Sequence, residues 1–152
     1  MKKYVIAFPG QGSQYGGMGK EIYHQYTAAR EVFDYASNVM EYDMPQLCFG
    51  DNIEQLSCME KVQSAILTYG VAAYRVLMQQ ADHKPEFLIG HSLGEITALV
   101  CANVIKFEDA LKLTELRGRL MGSYLGDIGI MIAVMGLDVK EIQKICNEVS
   151  TS

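Results

Sequence analysis

The sequence of 152 residues has little of what marks several large functional classes. Its 13 lysines and arginines are outnumbered by 18 acidic residues, giving a net charge of −5. The basic residues form no cluster of the kind that tracks phosphates, which excludes nucleic acid as a partner. No segment is long and apolar enough to span a membrane. The start, Met1-Lys2-Lys3 followed by an apolar run to Phe8, mimics a secretory leader. That run stops at Pro9-Gly10-Gln11, too short for a leader core. The four cysteines (Cys48, Cys58, Cys101, Cys146) are scattered, with no Cys-x-x-Cys pair. They are expected to be small buried hydrophobes in a reducing compartment, which makes the cytoplasm the expected location. No His/Cys/Asp grouping has metal-ligand spacing. Gly10, Gly12, Gly16 and Gly17 loosely resemble a phosphate loop, but no Gly-Lys-Ser/Thr follows. There is no internal repeat and no low-complexity segment.

What remains is an ordinary globular composition, 49% hydrophobic and 20% charged, at about one domain's length. Residues 4–8 are expected to form a buried first strand, followed by a Gly-rich loop. Helical pattern covers residues 20–39, with a break near Thr27, and a short helix is expected after Pro45. Met59 to Gln80 carries Val62, Ile66, Tyr69, Ala73 and Val76 at helical spacing, widened by Ala65, Ala72 and Leu77. A helix so apolar is expected to be packed on several sides. Further helices are expected at 95–102 and 107–125, with Gly122, Gly126 and Gly129 loosening the chain after the second. Residues 130–135 are expected to form a strand, and Asp138 to cap a helix reaching about 148. Strands alternating with helices give an α/β architecture. About three strands make a thin core, so the chain is expected to look cut off and to expose an apolar face.

Residues 90–94, Gly-His-Ser-Leu-Gly, are the most informative stretch. A Gly-x-Ser-x-Gly sequence between an apolar strand (Phe87, Leu88, Ile89) and a helix is the context of a nucleophilic serine. The chain turns sharply at Ser92, in a strained backbone conformation, with Gly90 and Gly94 leaving room for the turn. The helix N-terminus supplies N–H groups for an anion.

Arg117 is the second clue. At about 100° per residue, it centres an arc holding Ala110, Leu113, Thr114, Leu120, Met121 and Tyr124. Lys112, Glu115 and Arg119 lie opposite. A guanidinium on an apolar face cannot shed its proton and needs an anion. That anion is either an acid of the fold, such as Glu95 or Asp109, or a substrate carboxylate gripped by two hydrogen bonds.

Three ordered motifs now add up. Phe8-Pro9-Gly10-Gln11-Gly12-Ser13-Gln14, Gly90-His91-Ser92-Leu93-Gly94-Glu95 and Glu115-Leu116-Arg117-Gly118 resemble malonyl-CoA:acyl carrier protein transacylases and the acyltransferase domains of polyketide synthases. The resemblance runs from Lys3 to about Val139. It implies an α/β-hydrolase-like large subdomain (N-terminal part, 1–127) and the first β–α of a ferredoxin-like small subdomain (128–152). It implies Ser92 as the acyl-carrying nucleophile, the N–H groups of Gln11 and Leu93 as the oxyanion hole, and Arg117 as the carboxylate ligand. Malonyl-CoA would be the donor and the phosphopantetheine thiol of an acyl carrier protein the acceptor, with no tightly bound cofactor and no metal. An acyl hydrolase of the same fold, clearing carrier proteins, or a non-catalytic fragment are the alternatives.

Two departures accompany the resemblance. The family's general base is a histidine from a segment beyond Ser152. Of the histidines present, His91 adjoins the nucleophile and should point away from it, His24 lies on the first helix and His83 in a polar loop. Ile96-Thr97 also replaces the aromatic-Ala pair common in fatty-acid-synthesis members, and is similar to separate acyltransferases that serve polyketide assembly lines.

Overall fold

A computed structural model describes residues 3–50, 52–128, 132 and 134–150. Its elements run β1 (Val5–Phe8), α1 (Lys20–Gln25), α2 (Thr27–Met40), α3 (Met44–Phe49), α4 (Ile53–Leu56), α5 (Met59–Gln80), β2 (Phe87–Gly90), α6 (Leu93–Cys101), α7 (Phe107–Ile128) and α8 (Val139–Ser150). Local chemistry accounts for several boundaries. Asp43 caps α3 by accepting from the Gln46 N–H at 2.7 Å, and Asn52 caps α4 by accepting from the Gln55 N–H at 3.0 Å. Asp138 accepts from the Lys140 N–H at 2.8 Å at the head of α8, as its position suggests.

The two strands pair in parallel, in the register Val5↔Phe87, Ile6↔Leu88, Ala7↔Ile89 and Phe8↔Gly90. Parallel neighbours need a long crossover, and α1 to α5 supply it. The inner face of the sheet packs on α6, and α6 on α5. Helix α5 is the axis of the core, buried without interruption from Val62 to Thr68, so it is packed on several sides as expected. Phe33 of α2 is wholly enclosed, with Tyr23 edge-on at 5.7 Å and Phe49 at 5.2 Å.

The outer face of the sheet is uncovered among the described residues. Val5 is 50%, Phe87 62% and Ile89 53% exposed, and the register puts these side chains on one face. Parallel sheets are normally covered on both faces, so this is an unfinished surface. Helix α7 adds Leu113, Leu116 and Leu120, each more than two-fifths exposed. The 152-residue polypeptide is therefore expected to bind an apolar fluorescent dye under native conditions. A dye-silent, cleanly monomeric chain would rule this out.

Five expectations need correction. The first strand, expected to be buried, is fully buried only at Phe8, because the face that carries Val5 is uncovered among the described residues. Helix α7 does not loosen at Gly122 but continues to Ile128. Gly122 faces α5, where an added Cβ would lie 3.2 Å from Met59 Cβ, so this glycine permits close helix packing. The apolar arc of α7 is not uniformly buried. Ala110, Leu111 and Thr114 are fully buried while Leu113 and Leu120 are exposed, because α5 meets the side bearing Gly118 and Gly122. That puts Arg117 at the border of the packed face rather than its centre. Cys48 and Cys101 are buried, but Cys58 at the head of α5 and Cys146 on α8 are exposed. Finally, the elbow helix begins at Leu93, two residues before the expected start. The strand expected at 130–135 falls largely outside the described residues.

Candidate active site

The strand β2 ends at Gly90 and α6 starts at Leu93, leaving two residues to reverse the chain. Ser92 takes φ 53°, ψ −110°, a conformation that costs a non-glycine residue on the order of 1–3 kcal/mol. The surroundings hold it there. The His91 N–H donates to Phe8 O at 3.1 Å, the Gly94 N–H to His91 O at 2.9 Å and the Glu95 N–H to Ser92 O at 3.1 Å. Both flanking glycines are needed for close approach rather than flexibility. A Cβ on Gly94 would lie 2.1 Å from Phe8 O, and one on Gly90 would lie 2.0 Å from the Gly94 carbonyl carbon.

Serine at a helix N-cap ordinarily accepts a bond from the first turn. Ser92 makes no such capping bond. Its hydroxyl is exposed and accepts instead from Arg117 Nη2 at 3.0 Å. Arg117 is half-buried, and its Nη1 donates to Gln63 Oε1 at 2.7 Å. Neither partner is charged. The described residues form ion pairs at Lys3–Glu86, Lys112–Glu108 and Lys144–Glu148, and none involves Arg117. Glu95 and Asp109, the acids the sequence offered, do not reach it. Its charge is thus met by neutral groups beside an exposed serine, an arrangement that attracts an anion.

The position of Arg117 depends on its neighbour. A Cβ on Gly118 would lie 2.1 Å from Met59 O, so α7 can approach the head of α5 only with glycine there. Gly118→Ala is expected to push the helices apart and lower stability by about 1–3 kcal/mol. Thermal unfolding reads this directly; an unchanged Tm would mean that the approach is not required.

Gln11 and Leu93 complete the group. Leu93 is the first residue of α6, so its N–H belongs to the first turn and has no intrahelical acceptor. Gln11 sits in the loop after β1, which Gly10 brings against the elbow: a Cβ there would lie 2.8 Å from His91 O. The loop is tied down by Ser13 Oγ donating to Gly10 O at 2.8 Å and by the Gly12 N–H donating to Gln14 Oε1 at 2.8 Å. All four residues singled out in the sequence therefore gather at one end of the sheet.

The residue that sequence reasoning missed is Gln63. It is fully buried on α5, accepts from Arg117, and donates through Nε2 to Gln11 Oε1 at 3.1 Å. Its signal was present: a glutamine within an otherwise packed run must find partners.

None of the three histidines bonds to Ser92. His91 lies over Gly10, His24 contacts Tyr23 and Phe49, and Tyr4 packs edge-on against His83 near the start of β2. Burial pushes the Cys48 and Cys101 thiols up to about 12, which keeps them protonated and unreactive. No group of acids, histidines and cysteines among the described residues could hold a metal ion. No helix among them is long and apolar enough to cross a membrane.

Residues 4–151 match the family described as acyl transferase domain. The chain is 42% identical over 152 residues to the malonyl CoA-acyl carrier protein transacylase of Bacillus subtilis, covering 99% of this chain and 38% of that protein. It superposes on the crystal structure of an acyl carrier protein S-malonyltransferase from Vibrio cholerae with a TM-score of 0.89 at 42% identity, covering 97% of this chain and 48% of that one. A malonyl-transacylase in complex with the holo acyl carrier protein of a type II polyketide synthase matches with a TM-score of 0.87 at 35% identity, covering 98% and 48%. The chain spans about half the length, or less, of the curated relatives it matches.

Proposed function

Because the chain belongs to the acyl transferase domain family, we propose that it carries the nucleophile half of a malonyl transferase. Ser92 Oγ attacks the thioester carbonyl of malonyl-CoA, and the negative charge that develops on oxygen is held by the N–H groups of Gln11 and Leu93. The C–S bond breaks, coenzyme A leaves as its thiol with the serine proton, and malonyl remains as an ester on Ser92. A phosphopantetheine thiol of an acyl carrier protein then attacks that ester and restores the serine, in a ping-pong sequence. Arg117 turns from Ser92 to grip the malonyl carboxylate. Each proton transfer needs a base, and the family resemblance assigns it to a histidine in the part of the relatives that this chain does not span. No tightly bound cofactor is required. Within the fold, residues 1–127 are the first part of an α/β-hydrolase-like subdomain and 128–152 the start of a ferredoxin-like one. Substrates of this kind, together with two exposed free thiols, suit the cytoplasm.

The observation that carries this reading is a half-buried guanidinium with no carboxylate partner among the described residues, 3.0 Å from a serine on a strained elbow. Its test is the fate of the acyl group. Malonyl carried on Ser92 is expected to pass to a holo carrier protein faster than to water. Release at one rate with and without a thiol acceptor would identify a hydrolase of the same fold instead.

A further inference from the structure

We propose that Gln63 is a strut that sets how long an acyl diacid the site accepts, acting by fixing Arg117 relative to the oxyanion loop. The inference rests on the reading of Arg117 as a carboxylate ligand. A guanidinium only donates hydrogen bonds. Gln63 must therefore turn Oε1 towards it, which turns Nε2 the other way. Gln11 must then present Oε1 to that Nε2, and its own Nε2 is left to donate to Met59 Sδ at 3.1 Å. The charge at one end dictates the direction of every bond in the chain. Reversing the Gln63 amide would set its NH2 against the guanidinium, and a fully buried side chain cannot turn to bulk solvent to make up the loss. Gln63 is also anchored along its length, because it lies within the packed run of α5 and its Nε2 contacts Met121 Sδ at 3.4 Å.

The substrate gives this rigidity a purpose. In a malonyl thioester one methylene separates the carboxylate from the reacting carbonyl. The groups that receive them, the Arg117 guanidinium and the Gln11 N–H, must then keep a matching separation. Gln63 is bonded to the first of these residues and to the side chain of the second, so it fixes that separation. When a carboxylate draws Nη2 away from Ser92, the Nη1 bond to Gln63 stays as the pivot. A diacid with one more methylene cannot satisfy both ends unless the strut yields.

The experiment is calorimetric titration of the chain with malonyl-CoA, succinyl-CoA and acetyl-CoA, alongside thermal unfolding. The unaltered chain is expected to bind malonyl-CoA tighter than both others. Gln63→Met keeps the volume and removes the bonds. It is expected to weaken malonyl-CoA about tenfold and to bring the malonyl:succinyl affinity ratio near one, while both diacids still bind better than acetyl-CoA. A wild-type ratio in this variant overturns the strut and leaves the carboxylate reading standing. Lack of any malonyl over acetyl preference in the unaltered chain overturns both. Should Gln63→Met fail to fold, Gln11→Ala cuts the strut at an exposed residue. It is expected to lower the malonyl:succinyl ratio about threefold, and an unchanged ratio there also overturns the proposal.

Discussion

Arg117→Ala is expected to abolish selection for acyl groups that carry a carboxylate, weakening capture of malonyl-CoA about 100-fold and leaving acetyl-CoA as good a ligand as before or better. The size follows from losing two charge-assisted hydrogen bonds to one carboxylate, each worth about 1.5 kcal/mol at the low end. The direction for acetyl-CoA follows from the resting geometry, in which Nη2 occupies the Ser92 hydroxyl at 3.0 Å. Removing it frees that oxygen. Arg117→Lys is expected to recover little, because an ammonium cannot keep Gln63 on one nitrogen and grip a carboxylate with another. Competitive binding of malonyl-CoA and acetyl-CoA checks all three statements. If Arg117→Ala left malonyl binding intact and admitted uncharged acyl groups no better, the carboxylate role would be wrong.

Acylation of Ser92 in the 152-residue chain is expected to be slow but real. No histidine bonds to its hydroxyl among the described residues, so the serine proton has no base at hydrogen-bond distance. What remains is the elbow, the first-turn N–H groups and binding. In enzymes stripped of a triad member such features still leave roughly 10³–10⁴-fold over water. Ser92→Gly separates chemistry from strain. It removes the nucleophile and so the adduct, and it relieves a positive φ of 53°. A gain of about 1 kcal/mol in stability is expected, since glycine adopts this conformation without the steric cost. Intact mass and thermal unfolding on the same sample read the two effects. A variant less stable than the parent would mean that the strain relieved is smaller than the Arg117 hydrogen bond and the chain entropy given up with it.

The sequence carried the fold where one physical signal dominated. Met59–Gln80 has the bounds expected from its apolar periodicity, because a long run at one spacing admits one answer. The elbow was legible because an apolar strand precedes the Gly-x-Ser-x-Gly and a helix follows it, and the structure puts backbone within 2.1 Å of the Cβ positions that Gly90 and Gly94 lack. The face of α7 was less legible. Leu113 and Leu120 are apolar and exposed, and helical periodicity cannot tell a residue that meets α5 from one on an uncovered face. Gly118 and Gly122 held that information, as contacts whose partner, Met59, lies some 60 positions away. Gln63 was hidden for a similar reason. Its partners, Gln11 and Arg117, are 52 and 54 residues distant, and no local pattern joins them. Cys58 and Cys146 show the limit of composition, since a small apolar residue type says nothing of where a chain leaves it exposed.

The most direct measurement is the intact mass of the chain, mapped to a peptide, after incubation with malonyl-CoA or acetyl-CoA in separate samples. A slowly formed malonyl ester on Ser92, absent from Ser92→Ala and far scarcer with acetyl-CoA, is the predicted result. An adduct on another residue, or equal labelling by the two thioesters, would contradict the claim that Ser92 and Arg117 together form a carboxylate-selective acyl site.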